Sequence, residues 1–360
     1  MRVAVYAATL VAALAVPALA AAPGSADPDT SAGRAVDGYV AMQRYLYDVR
    51  RGSYRESVGA RPLPAHAWPL SQAVAATIAV ARLPGANPLF AHGAQRRLER
   101  LEDLRLGSLY TASAGGDVYY DDNEWIAQDL LDADAAWGDG GARRRALAIF
   151  AGVVRAWDAD ARHPCPGGIS WTTAVGNDDR NTVTTANGAL LGLRLYTLTR
   201  RPALLYWSRR MLDWLDGCML APDGLYWDHI DADGVVDRTE WSYNQGSLVA
   251  ALVLLYRTTH DPLALARAER VGAAALAYFD GARLAAEPPE FAAVFFRGLL
   301  SLAAVDGDTA SVDAAEAYAA QAWAQRRDPR TGLYAFAGPT RLLDQAALVQ
   351  LFAALATAGR

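Results

Sequence analysis

One feature restricts the fold more than any other: a glycine followed closely by an apolar or aromatic residue, recurring six times. The copies are Gly52-Ser53-Tyr54, Gly116-Asp117-Val118-Tyr119, Gly168-Ile169-Ser170-Trp171, Gly224-Leu225-Tyr226-Trp227, Gly281-Ala282-Arg283-Leu284 and Gly332-Leu333-Tyr334, spaced 51 to 64 residues apart. A fixed period of this length marks a repeat architecture. The segment before each glycine has apolar residues at helical spacing, as in Leu204, Trp207, Met211 and Trp214. The segment after it is apolar all round, as in Leu248 to Leu255, and a helix of that kind is enclosed on every side. The periodicity predicts outer helices at 35–50, 91–104, 141–158, 203–217, 262–279 and 311–327. Inner helices are predicted at 70–82, 121–137, 182–199, 241–258, 291–305 and 343–358. Six helical hairpins of matching polarity favour an all-α, single-domain (α/α)6 barrel over an open solenoid. In a barrel the glycines gather at one end, beside the N-termini of the inner helices. The aromatics after them line that end, bringing Tyr119, Asp121, Trp171, Trp227 and Trp241 around one mouth.

At that mouth stands Tyr119-Tyr120-Asp121-Asp122-Asn123-Glu124-Trp125. Two carboxylates among aromatics suit glycosidic bond cleavage, where one carboxyl protonates the leaving oxygen and the other meets the sugar carbon. Aromatic faces accept the C–H faces of a sugar ring. The same residues also fit a structural role, with Asp121 as a helix N-cap and Glu124 completing a capping-box-like pair. Both readings stand at this level. Asp178-Asp179 reads as a solvated loop, Asp231-Ala232-Asp233-Gly234 as a polar turn, and Trp207 and Trp214 as core.

Composition removes several alternatives. The net charge is −5 with no basic stripe, which argues against a nucleic-acid partner. All 34 basic residues are arginine, so a lysine Schiff base is excluded. The five histidines are scattered and neither cysteine lies in a CxxC, so no metal-ligand spacing appears; no metal and no cofactor is expected. Cys165 and Cys218 fall at helix-end loops, where a disulfide and two separate thiols are both open. Arg2, the apolar run Val3 to Val16 and Pro17-Ala18-Leu19-Ala20 read as a signal peptide over 1–20. Residues 21–34 read as a flexible mature terminus and 35–360 as the catalytic domain. An exported protein, secreted or in the cell envelope, monomeric and with no stable membrane insertion after signal cleavage, is the expectation.

The chain resembles glycoside hydrolase family 76, the α-1,6-mannanases, over roughly residues 36 to 355. The motifs that carry the resemblance are Tyr120-Asp121-Asp122-Asn123-Glu124-Trp125, Gly167-Gly168-Ile169-Ser170-Trp171, Asn187-Gly188-Ala189-Leu190, Asp223-Gly224-Leu225, Trp241-Ser242-Tyr243-Asn244-Gln245-Gly246 and Phe295-Phe296-Arg297. Ile126, Thr172 and the Asp178-Asp179 pair depart from the family's usual residues. The resemblance implies an (α/α)6 fold and retaining endo-hydrolysis of α-1,6-mannan, with Asp121 as nucleophile and Asp122 as general acid/base. It further implies substrate contacts from Tyr120, Asn123, Trp125, Trp171, Asn187, Trp241, Tyr243, Asn244, Gln245 and Arg297. The partner would be a mannose-containing polysaccharide or oligosaccharide. Transglycosylation at the same site and a non-catalytic glycan-binding protein are the alternatives.

Overall fold

The computed structural model describes residues 27, 29–59 and 61–358. The segment read as a signal peptide, 1–20, and residues 21–26 and 28 of the terminus lie outside the described residues. The inner helices are α2 (Ala67–Ala81), α4 (Tyr120–Trp137), α6 (Thr182–Thr199), α8 (Ser242–Thr259), α11 (Pro289–Asp306) and α13 (Leu342–Ala358). The outer ones are α1 (Ser31–Tyr45), α3 (Pro88–Leu101), α5 (Gly140–Arg155), α7 (Pro202–Cys218), α9 (Pro262–Tyr278) and α12 (Ala310–Gln325). Each inner helix packs on the inner helix before and after it, and α13 packs back on α2, which closes an (α/α)6 ring. The core lies between this ring and the outer layer. Helix α8 meets α11 backbone to backbone: a Cβ on Gly298 would lie 2.2 Å from the Gly246 carbonyl oxygen, so only glycine permits this approach.

The two ends of the barrel differ. Inner helices α4, α6, α8 and α11 stop in left-handed residues, Gly138, Arg200, His260 and Gly307. Outer helices start at once, with Asp139 capping α5, Asp261 capping α9, and proline opening α7 and α9. These turns are two or three residues long, whereas the returns from outer to inner helices are longer and carry the recurring glycines. Chemistry concentrates on such loops when a rigid scaffold holds them. Helix α1 starts at Ser31, capped by Thr30, four residues before the expected 35. The fifth copy also differs: Gly281 opens an additional short helix, α10 (Gly281–Ala286), in place of a turn.

In the other returns the chain folds back on itself, pairing Tyr47 with Tyr54, Arg105 with Tyr110, Trp157 with Ile169, Leu220 with Tyr226 and Arg327 with Tyr334. The inner helix then clamps this strand. Asn123 accepts from the Tyr110 N–H and donates to its carbonyl, Gln245 does both for Tyr226, and the Oε1 of Gln345 accepts from the Tyr334 N–H. Thr185 accepts from Ile169 N–H at the same place. The clamped aromatics Tyr110, Tyr226 and Tyr334 are buried, and so is Tyr54. They are core between the two layers; for Tyr54, Tyr226 and Tyr334 the repeat pattern predicts cleft lining, and at Tyr226 and Tyr334 the clamp fixes the strand with the ring turned inward.

Candidate active site

The Asp pair sits in the first turn of α4. Tyr119 is the extended residue before the helix, and no side chain caps it. The cap comes from another loop: the Trp171 carbonyl accepts from Tyr120 N–H at 2.9 Å. Asp121 is therefore not the N-cap, and Glu124 completes no capping box. Thr172, one of the departures from the family pattern, ties the two loops through its hydroxyl, which donates to the Val118 carbonyl. Gly167 and Gly168 let this loop pass Trp214 at φ of 120° and 81°; a Cβ on Gly168 would lie 2.6 Å from the Trp214 ring.

The Trp171 indole N–H donates to Asp121 Oδ2 at 3.2 Å, and the Asp122 backbone N–H donates to Asp121 Oδ1 at 3.0 Å. Both hydrogen bonds favour the ionised carboxylate. Desolvation opposes them, and the charge of Asp228 adds to it, so the Asp121 pKa is pushed up to about 6. Asp122 is held well above the usual carboxylate range, first by burial and then by the charge of Asp121. Two neighbouring carboxyls with this ordering keep one proton between them near neutral pH, preferentially on Asp122.

Of the residues expected to meet substrate, the structure brings Trp171, Trp241 and Tyr243 to the mouth with the two aspartates. Tyr243 stacks on Phe291 at 3.9 Å and 6°, and Trp241 meets the same ring edge-on at 5.4 Å. Burial, then the charges of Asp228 and Asp121, raise the Tyr243 hydroxyl pKa, which places it in the field of those two carboxylates. Four others take different places. Asn123 and Gln245 are fully buried and engaged in the backbone clamps. Asn244 is fully buried behind the site and donates to Asp228 Oδ1 at 3.1 Å. Tyr120 packs against the main core. Trp125, Asn187 and Arg297 converge deeper, inside the barrel bore.

Asp228 is the carboxylate the sequence did not reveal. It reaches the site because the strand His229–Ile230 pairs with Arg180–Asn181, immediately before α6. His229 donates through Nδ1 to Asp228 Oδ2 at 2.9 Å and lies 3.7 Å from Asp179, and the hydrogen bond to Asp228 followed by the charge of Asp179 raises its pKa. Among the described residues, Asp228, His229 and Asp237 are the ones whose ligand atoms gather within 4.8 Å of one another. His229 pairs with Asp228, and strand pairing sets Asp237 opposite His229. Phe291 and Trp68 were missed too; each stands at the start of an apolar inner helix, where an aromatic reads as core.

Glu124 has no such use. It is 0% exposed, neither oxygen finds a partner, and burial followed by the charge of Asp121 raises its pKa well above the usual value. A carboxyl with a raised pKa keeps its proton in the folded protein while the unfolded chain releases it. Stability is then complete below the ordinary carboxylate range and falls as pH rises towards the folded pKa. Glu124→Gln is expected to make the decline of unfolding free energy as pH rises above the ordinary carboxylate range shallower, by up to ~1.4 kcal/mol per pH unit. Urea unfolding at a series of pH values measures it; an unchanged slope would show Glu124 to be ionised in the native state.

The model for glycosyl hydrolase family 76 matches residues 34–357. Mannan endo-1,6-alpha-mannosidase DCW1 of Saccharomyces cerevisiae is 33% identical over 148 residues, 38% of this chain and 32% of that protein. Its counterpart in Candida albicans is 31% identical over 127 residues, 32% of this chain and 27% of that protein. The aligned stretch thus spans about a third of the curated relatives or less. Among solved structures, the family 76 mannosidase Bt3792 from Bacteroides thetaiotaomicron superposes with a TM-score of 0.82 at 20% identity, covering 91% of this chain and 98% of that one. An inactive variant of the alpha-1,6-mannanase GH76A of Salegentibacter sp. HEL1_6, in complex with alpha-1,6-mannotetrose, gives 0.77 at 18% identity, covering 92% and 100%. At these identities the structural likeness supports the fold.

Proposed function

The chain belongs to glycosyl hydrolase family 76, and from that premise we propose that it is an exported, retaining endo-α-1,6-mannanase. The observation that carries this reading is the Asp121–Asp122 pair: two adjacent carboxyls at an aromatic mouth, with the proton held preferentially on the second. Both DCW1 proteins are named for cleavage of the α-1,6 linkage of mannan. The inactive GH76A variant carries changes at two consecutive aspartates and binds α-1,6-mannotetrose.

Ionised Asp121, steadied by the Trp171 and Asp122 N–H groups, attacks the anomeric carbon from the face opposite the leaving oxygen. Protonated Asp122 donates its proton to that oxygen as the glycosidic bond breaks. The result is a mannosyl ester on Asp121 and a free sugar hydroxyl. Esterification removes the Asp121 charge, and with it one cause of the raised Asp122 pKa, so Asp122 becomes a better carboxylate. It then takes a proton from water as the water oxygen displaces Asp121, returning both groups to their starting states with configuration retained. Trp171, Trp241 and Tyr243 would present ring surface to the chain.

Export rests on the apolar N-terminal segment, and the Cys165–Cys218 disulfide is consistent with an oxidising compartment. Among the described residues no helix is long and apolar enough to cross a membrane. A monomer acting on a mannose-containing glycan of the cell envelope or its surroundings fits these features. Incubation with linear α-1,6-mannan and chromatography of the products tests the activity. Short α-1,6-manno-oligosaccharides are expected; products elongated onto an added acceptor would indicate a transglycosidase, and binding without any product would indicate a glycan-binding protein.

A further inference from the structure

Beneath the catalytic pair the bore of the barrel is open. A cavity of about 180 Å3 starts at Trp125 and runs past Asp129 to Asp132, one to three turns along α4 beyond the Asp pair. A second cavity of about 350 Å3 shares Ala75, Asp132 and Arg297 with it and reaches Arg82 and Thr357. Those residues lie at the C-terminal ends of α2 and α13, so this opening is at the end of the barrel opposite the catalytic mouth. Towards that mouth, Trp125 packs with Val183 and Val294 against Trp68 and Tyr243 as an apolar plug.

The chamber wall holds buried polar atoms that nothing in the protein satisfies. Asp129 Oδ2, both amide atoms of Asn187, Ser247 Oγ and Arg297 Nε make no hydrogen bond. Asn187, Ser247 and Asp129 are 0, 2 and 4% exposed. Asp129 and Arg297 lie in each other's electrostatic field, yet the side-chain hydrogen bond of Arg297 goes to Gln350. A buried polar group left without a partner is costly, so five such atoms converging on one space point to an occupant. An anion would face Asp129, a cation would face Arg297, and an apolar molecule would strand all five atoms. A hydroxyl both donates and accepts and so suits every one of them. The Trp125 indole and the aliphatic wall between these groups suit C–H surface.

We propose that this chamber is a second binding site, taking one small polyhydroxylated molecule the size of a single sugar ring and filled from the barrel end remote from Asp121 and Asp122. The test is calorimetric titration of D-mannose into the Asp122→Asn protein, with the catalytic cleft first saturated with α-1,6-mannotetraose. Mannose binding is expected to persist under that competition. Ser247→Val, which removes one hydrogen bond, and Ala250→Leu, which fills the space with its side chain, are each expected to weaken it by about tenfold or more, while mannotetraose affinity holds. Ser247→Ala, which removes only the hydroxyl, serves if either larger side chain prevents folding. Mannose binding that mannotetraose abolishes, that the wall variants leave unchanged, or that is absent would overturn the proposal, the last outcome leaving the chamber to water alone. The competitor rests on the hydrolase reading, and its own titration shows separately whether that reading fails.

Discussion

Asp122→Asn is expected to lower kcat/KM on linear α-1,6-mannan by about 10²–10⁴-fold, the usual worth of a positioned general acid, and Asp121→Asn by at least as much, because no covalent intermediate can then form. Neither variant should lose stability at neutral pH. Both carboxyls are pushed above their ordinary pKa by burial, so replacing either with a neutral amide removes a cost of ionisation and no ion pair. The double variant should be scarcely worse than the weaker single one, since the two groups act on one transition state. The pH profile separates the roles. Activity of the wild type falls below about pH 6 as Asp121 protonates, and falls again at higher pH as Asp122 loses its proton. Asp122→Asn should keep the acid limb and lose the basic one. Equal loss of both limbs, or an unfolded variant, would move the pair from chemistry to structure.

Removing the disulfide is expected to have the second largest effect. Cys165 and Cys218 are 53 residues apart in sequence and are joined. A cross-link over such a loop restricts the unfolded chain by about 4 kcal/mol in the loop-entropy model. Cys165→Ser with Cys218→Ser should lower the unfolding free energy by that order, measured by urea denaturation. It should also lower activity, because the same loop carries Trp171. The Cys165 carbonyl accepts from Arg180 Nη1 at 2.9 Å and from the Trp214 indole at 3.1 Å. Arg180, buried and paired with Asp158 at 2.9 Å, also donates to the Asp231 carbonyl, joining the loop before Trp171 to the hairpin behind Asp228. A double-serine variant with unchanged kcat would show that Arg180 and Trp214 hold the loop unaided.

The barrel was legible because each level of the sequence agrees with the next. The stretch 182–199 carries apolar residues at helical spacing between polar ends, and it is helix α6 from Thr182 to Thr199. The run 121–137 stops before Gly138, and α4 spans Tyr120 to Trp137. The site was legible only in part. Asn123, Asn244 and Gln245 have the amide side chains that bind sugar hydroxyls, but the same groups clamp a strand or orient a carboxylate, and residue type cannot separate the two uses. Asp228 was hidden because strand pairing across 48 residues brings it to the mouth. Trp125, Asn187 and Arg297 do share one space, but that space is the bore below the cleft, a depth that spacing along single helices does not encode. Tyr226 and Tyr334 were misplaced for a related reason: the glycine turn was visible, while the clamp that holds the aromatic after it in the core depends on an inner helix further along the chain.

The central claim is that Asp121 and Asp122 together cleave an α-mannosidic bond with retention. Proton NMR of the first product released from α-1,6-mannan, recorded before mutarotation, tests it most directly. The α-anomer as the initial product is the expected result. The β-anomer appearing first would contradict it, because a single displacement by water would then replace the covalent step on Asp121.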